Sequence, residues 1–472
     1  MARKWDTNPL KSKLTLIGSS LVLACLSSQA FAAAFQVQEQ NVSQLGLAYS
    51  GTAALAEDAT TGFWNAAGLS KIKNSQVVLG GVLAWGIFDY DVRSAHNSVP
   101  TIPGVNDGLV SGNNDDAGSV ATIPNFAVAT RFADRWVLGF NVNTPFGLKT
   151  EYDENSVARY VATLSKLEVW NFSPSISYEW LPCLSFGAGI DAAYGKAKLN
   201  SNIGSNGNFI PNVASADDGY QHNTAEGWAL GFHLGALWDI LPTTRVGLSF
   251  RSKLNMHVEG DSETVSNPRL PNGANAANKV YSVREVQANV TLPESWIFSV
   301  KHDLNDEFTL TGDFHWTNWS RVDLLSLRFA PGALINNANA APGSPPIGID
   351  TDTELKFKDT IRVAAGLIWN YNQCWSYRFG LAYDESPVQA EHRTARIPDS
   401  DRWWFAVGAV YNFLPDWRAD FGYSYIKFKD ADMNDRGPNA YAVGQPISAA
   451  NLVAKYKASA HLFGLQLRYD FV

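Results

Sequence analysis

The sequence predicts an all-β protein, a fourteen-stranded antiparallel β-barrel that crosses a membrane, preceded by a segment able to fill its lumen. Three observations carry that prediction. Apolar and polar residues alternate over long stretches, as where Trp375, Tyr377, Phe379, Leu381 and Tyr383 interleave with Ser376, Arg378, Gly380, Ala382 and Asp384. The connections between such stretches are alternately very short and long. After the N-terminus no apolar run approaches the roughly 20 residues of a membrane helix; the longest, Val77 to Phe88, reaches little more than half that. Successive strand side chains point to opposite faces, so each stretch has one oily and one wet face. A soluble sandwich alternates in the same way, but the rhythm of short turns and long loops belongs to outer-membrane barrels.

The first residues read as an address. Arg3, Lys4, Lys11 and Lys13 precede an apolar segment from Leu14 to Leu26, and Ala30-Phe31-Ala32 offers a cleavage site, so residues 1–32 are expected to be a signal peptide that is removed. Lipoprotein processing at Cys25 competes with this reading, although the large Leu23 fits poorly before a lipidated cysteine. Residues 33–74 follow, rich in small side chains and without a membrane-strand pattern; they either hang in the periplasm or plug the barrel. Without the plug a lumen of this width is an open channel.

The strands are expected in residues 75–472, near 75–92, 120–133, 135–149, 163–180, 183–199, 225–238, 244–259, 283–302, 307–329, 354–371, 375–385, 402–413, 417–429 and 455–472. Tight connections follow every second strand: Asp134, Leu181-Pro182, the stretch Asp239 to Thr243, Asn305-Asp306, Asn372-Gln373-Cys374 and Leu414-Pro415-Asp416. An even strand number closes an antiparallel barrel with no free edge, which lipid demands, and leaves both termini on the short-turn, periplasmic side. Trp136, Trp180, Trp238, Trp296, Trp375 and Trp417 lie near strand ends, as an interfacial girdle requires. Phe471 faces outward at the chain end.

Composition narrows the function. About 46% of residues are hydrophobic and 12% aromatic, yet the mean hydropathy is slightly negative. Removing 1–32 leaves 33 Lys+Arg against 44 Asp+Glu, a net charge of −11 that argues against a nucleic-acid partner. Cys183 and Cys374 sit beside different turns, beyond disulfide reach. Eight scattered histidines show no metal-ligand spacing, and no Gly-x-Ser-x-Gly elbow is present, so neither metal, cofactor nor catalytic residue is expected.

Several blocks, in order, resemble one family. They are Ala33-Ala34-Phe35-Gln36, Leu47-Ala48-Tyr49-Ser50-Gly51, Leu292-Pro293-Glu294-Ser295-Trp296, Phe357-Lys358-Asp359, Tyr383-Asp384-Glu385-Ser386-Pro387-Val388 and Ile397-Pro398-Asp399-Ser400-Asp401-Arg402. They are similar to the FadL-type outer-membrane transporters of long-chain fatty acids, which include aromatic-hydrocarbon channels of the TodX kind. The resemblance implies a barrel plugged by an N-terminal hatch (33–74) and passive uptake of hydrophobic molecules, most of all long-chain fatty acids. Capture at outer loops, binding in the lumen, hatch rearrangement and sideways exit at a kinked third strand would follow one another. It also implies a monomer whose partners are a hydrophobic small molecule, outer-membrane lipid and lipopolysaccharide.

Candidate residues follow from strand pattern and resemblance together. Phe35 matches a hatch phenylalanine that enters the family's ligand pocket, and Asp384 matches its binding-site acid. Arg378 shares the polar face of strand eleven with Asp384, and Arg251, Lys253 and Asn255 share that of strand seven. Ser201 and Thr353 stand where the family carries basic partners, near Lys196, Lys198 and Lys356, which favours a neutral substrate. Asn65 and Gly68 form the hatch turn, in which Asn65-Ala66-Ala67 replaces Asn-Pro-Ala. Pro145, Phe146 and Gly147 mark the kink and lateral opening of strand three: proline donates no ladder hydrogen bond and glycine tolerates a bulge. Phe209, Ile210 and Leu270 supply the apolar side chains of the outer capture loops. An aromatic-hydrocarbon transporter, a general diffusion porin and an outer-membrane hydrolase are the competing readings.

Overall fold

Ser75 pairs with Phe471 and Asn97 with Ala450, so the first and last strands close one sheet upon itself. The computed structural model describes residues 34–97, 110, 112, 117–203, 219–266, 280–330, 350–436, 439–442, 445–446 and 450–471. The barrel strands are β1 (Ser75–Asn97), β2 (Val120–Ala133), β3 (Trp136–Glu151), β4 (Leu164–Leu181), β5 (Leu184–Ile203), β6 (Gly219–Leu241), β7 (Thr244–Arg251, then Leu254–Ser266), β8 (Val280–Leu292, then Ser295–Asp303), β9 (Phe308–Thr317, then Leu324–Phe329), β10 (Thr351–Glu354, then Thr360–Asn370), β11 (Trp375–Asp384), β12 (Arg402–Leu414), β13 (Trp417–Phe428) and β14 (Ala450–Phe471). Each pairs antiparallel with its neighbours in chain order, which makes the closed fourteen-stranded barrel that the alternation predicts.

The faces sort as lipid requires. Along β11, Phe379 and Leu381 stand exposed while Arg378, Ala382 and Asp384 are buried inside. Along β14, Phe463, Leu465, Leu467 and Phe471 face outward around a fully buried Gln466. Trp136, Trp180, Trp238 and Trp296 are exposed on the outer wall, whereas Trp64, Trp319 and Trp404 are buried within and anchor no interface. Cys183 and Cys374 are free thiols.

Regularity fails in β7 to β10. β8 breaks at Pro293-Glu294, where proline lacks the N–H that the ladder needs. β7 breaks at Ser252-Lys253, and the interruption resets its inside–outside parity. Arg251 points inward, but Leu254 and Met256 are buried beyond the break while Lys253 and Asn255 are exposed. The shared polar face expected for Arg251, Lys253 and Asn255 therefore does not exist, because a one-residue slip turns every later side chain to the opposite face.

Residues 34–72 carry only short helical turns, at Leu45–Leu47, Thr61–Trp64 and Ala66–Lys71, yet nearly all of them are buried. They pack on the inward face of the barrel wall. A Cβ at Gly380 would collide with the Leu47 backbone, and Gly46 meets Gly408 backbone to backbone. Side chains on the wall satisfy the segment's main chain: Gln466 accepts from the Val42 amide (3.0 Å), Ser299 from Ala53 (2.9 Å), and Arg362 donates to the Ala48 carbonyl (2.6 Å). Irregular backbone at membrane depth is tolerated where protein supplies such partners.

Candidate functional site: a cavity beside the third strand

The β2–β3 ladder ends at Phe126 and Val142, although β2 continues along β1 to Val120 opposite Trp85. Continued in the same register, Pro124 would face Thr144 and Pro145 would face Ile123. Each edge would then contain a residue with no N–H to give. On its other side β3 bulges against β4, with a register shift between Asn143 and Phe146. Pro145 was legible as a strand breaker in the sequence; Pro124, its counterpart on the facing strand, was overlooked.

The bare edge of β3 is taken up by the N-terminal segment. Gly147 donates its amide to the Phe35 carbonyl (2.8 Å), and the Val37 amide donates to the Pro145 carbonyl (2.9 Å). Gln36 and Phe146 thereby form an isolated antiparallel bridge. One step further, the Gln40 side chain donates to the Thr144 carbonyl (2.9 Å) and Asn143 returns a bond to the Gln40 carbonyl (3.1 Å). Residues 35–40 thus stand in for the missing stretch of β2.

The same Phe35 projects its ring into an aromatic cage. Its centroid lies 4.8 Å from Trp319, edge-on, and 6.2 Å from both Phe146 and Phe357. Beside it opens a cavity of about 150 Å³, walled mainly by apolar side chains such as Leu148, Leu199, Val290, Leu325 and Ile397. Phe146 and Gln36 border a second, smaller cavity of about 30 Å³ that reaches Arg251 and His315. Ligand pockets run to roughly 300–1,000 Å³; the larger cavity, with the Phe35 ring on its wall, is smaller than that.

Asp384 and Arg378 do not line this cavity. Asp384 accepts from Arg402 Nε (3.0 Å), a fully buried guanidinium whose charge needs a counter-ion there. Arg378 lies deeper, bonded to the Ser43 carbonyl and to Glu57 (2.6 Å), where Arg418 joins it (3.1 Å). Burial alone would raise the Glu57 carboxyl, but the two guanidinium groups outweigh it and hold it down at about 2. Both residues face inward, as the alternation showed; Arg378 there serves the N-terminal segment and Asp384 a wall arginine, and the cavity lies elsewhere. Thr353 does line the cavity, while Lys356 pairs with Glu354 (2.7 Å).

Asn65 bonds both the segment and the wall, donating to the Ala53 carbonyl (2.7 Å) and the Ala236 carbonyl (3.0 Å) while accepting from the Ala67 amide (3.0 Å). Gly68 is buried where a Cβ would strike Thr61. Phe209, Ile210 and Leu270 lie outside the described residues. Trp319 and Arg396, both on the cavity wall or its cage, were missed by the sequence reading. Each sits outside a regular strand, where alternation carries no information.

Residues 23–471 match the family of outer membrane protein transport proteins described as OMPP1/FadL/TodX. The chain belongs to this family. It is 29% identical to outer membrane protein P1 of Haemophilus influenzae, over 98% of this chain and 100% of that one. A long-chain fatty acid transport protein of Escherichia coli is 27% identical, over 98% and 99%. Its fold is shared with a FadL homologue of Pseudomonas aeruginosa (TM-score 0.75, 22% identity, 93% and 100% covered) and with the Pseudomonas putida toluene transporter TodX (TM-score 0.66, 17% identity, 93% and 100%).

This FadL/TodX family chain is thus an outer-membrane transport protein and not an enzyme. One wall network imitates a hydrolase: Ser175 Oγ lies 3.0 Å from His233 Nε2, and His233 Nδ1 lies 3.1 Å from Asp191. Asp191, however, also takes bonds from Asn171, Ser173 and Arg251, and Arg251 reaches the Phe63 carbonyl (2.5 Å). The network fastens the wall to the N-terminal segment.

Proposed function

We propose that this chain takes up hydrophobic molecules passively, long-chain fatty acids above all. They would be captured at the outer loops, bound in the cavity beside Phe35, and released sideways between β2 and β3 once the hatch, residues 33–74, rearranges. One observation carries the reading: a single three-residue stretch, Phe35 to Val37, both fills the cavity's aromatic cage and caps the open edge of β3. A ligand that displaces the Phe35 ring pulls on the hydrogen bonds that cover the gap, so occupancy and exit are coupled. Proteins sharing a quarter or more of its sequence are named long-chain fatty acid transport proteins, which supports that cargo. The three rings around Phe35 and the fold shared with toluene transporters favour aromatic hydrocarbons as a second reading. A general diffusion pore would require the buried segment 34–72 to leave the lumen. We further propose residues 1–32 as a removed signal peptide, periplasmic termini, and a monomer surrounded by lipid and lipopolysaccharide.

The test is substitution at the gap. Gly147→Leu, at a buried position beside the bulge, should impair uptake of labelled fatty acid by cells while the barrel still folds and inserts. Undiminished uptake by a correctly folded variant would remove the lateral exit.

A further inference from the structure

Resting on the ligand-cavity reading above, we infer that Arg396 is the head-group anchor of this cavity and makes it selective for chains that end in a carboxylate. Three cationic side chains touch the cavity: Lys166, Arg321 and Arg396. Lys166 is already paired with Glu168 (2.9 Å) and Arg321 with Glu294 (3.0 Å). Among the described residues no carboxylate forms an ion pair with Arg396.

The geometry holds that cation ready. Arg396 follows Ala395 in the connection between β11 and β12, which folds back inside the barrel: Tyr152 donates to the Ala395 carbonyl (2.6 Å) and Thr150 to the Arg396 carbonyl (3.2 Å). One guanidinium nitrogen, Nη1, is shared by the Leu164 carbonyl (3.3 Å), Ser165 Oγ (3.0 Å) and the Asn200 carbonyl (3.2 Å). These are neutral acceptors, so they fix the plane of the group without cancelling its charge. Asp435, whose field reaches Arg396, is engaged by the Ala395 amide (2.6 Å). Burial draws the Arg396 group down to about 10, which leaves it charged at neutral pH.

A half-buried cation facing an apolar chamber is costly unless an anion completes it. Guanidinium binds carboxylate through paired, charge-assisted hydrogen bonds. A fatty acid satisfies both halves of the site, its head on Arg396 and its chain among Leu148, Leu325 and the position of Phe35. A neutral hydrocarbon would leave the cation unmet. This supplies the basic group that Ser201 and Thr353 do not.

Trp319, in contact with Phe35, reports on occupancy. A fatty acid brominated along its chain should quench Trp319 fluorescence in protein held in lipid nanodiscs, the signal being the difference from Trp319→Phe. The brominated acid should bind more tightly than the alcohol of the same chain, by roughly 10- to 100-fold, as befits a hydrogen bond to a charged group. Arg396→Met should bring the acid down to the alcohol's affinity, and Arg396→Lys, which keeps the charge, should restore part of the difference. Equal affinity for acid and alcohol in the unaltered protein, or a loss shared equally by both in Arg396→Met, would overturn the anchor while leaving the cavity a ligand site. Failure of either ligand to quench Trp319 in the unaltered protein would overturn both readings.

Discussion

The amide of Gly147 donates to the carbonyl of Phe35 across 2.8 Å, joining a barrel strand to a residue of the leading segment more than a hundred positions earlier in the chain. On one side of that bond lies the ring that packs among Phe146, Trp319 and Phe357. On the other lies the only stretch of β3 that β2 leaves uncovered on this flank. The same few peptide units thereby occupy the aromatic cage and cover the strand edge.

Locking the bond should stop transport. Gln36 and Phe146 flank it as a directly opposed pair, and such pairs place Cα atoms about 4.5–5.5 Å apart, within disulfide range. With Cys183 and Cys374 replaced by serine, the double change Gln36→Cys, Phe146→Cys should oxidise readily and abolish fatty-acid uptake. Reductant should restore it. Uptake through the oxidised protein would show that the edge of β3 need not open.

Removing the buried segment should open the bore. Deletion of residues 35–64 is expected to raise single-channel conductance in planar bilayers several-fold. An unchanged conductance would refute the plug.

Glu57 is the acid to which the tethers of the lower lumen converge, through Arg378 and Arg418. Its carboxyl is held at about 2 in the folded state, below the ordinary 4.5. Its contribution is therefore complete above about pH 4.5 and fades as the pH falls through 2. Arg378→Ala breaks a largely buried pair and should cost about 3 kcal/mol of local stability. Hydrogen exchange at the amides of residues 42–57 should accelerate on the order of 100-fold while barrel amides keep their protection.

Glu39 titrates with the opposite sign. It is fully buried in the same segment, and burial lifts it to about 7 despite Arg402 and Arg362 nearby. A carboxyl raised in the folded state favours the seated segment below pH 4.5 and works against it as the pH climbs through 7. The penalty at pH 8 is on the order of 3 kcal/mol. Openings of the channel should become more frequent between pH 5 and pH 8, and Glu39→Gln should flatten that dependence. Equal opening frequencies in unaltered protein at both values would sink the assignment.

Strand number, closure and the oily exterior were legible because lipid enforces them residue by residue: a strand has a period of two, and each outward position must be apolar. The bulge was legible too, since Pro145 cannot donate whatever its surroundings. What alternation left undecided is the division of labour on the inner face. Asp384 and Arg378 point inward as expected, yet one neutralises Arg402 and the other holds Glu57, because those partners come from residues 18 and 321 positions away. Arg251 and Lys253 part company at a strand break no period reveals.

By itself, then, the sequence determined a closed barrel whose third strand carries a proline, and left open whether the leader hangs free or fills the bore. Only the tertiary structure decided which inward groups meet the leader and which line the cavity, and that Phe35, Phe146, Trp319 and Phe357 share one cage. Facing the lumen is a local property of the pleat. Having a particular neighbour across it depends on register summed around the whole sheet and on where an irregular leader comes to rest.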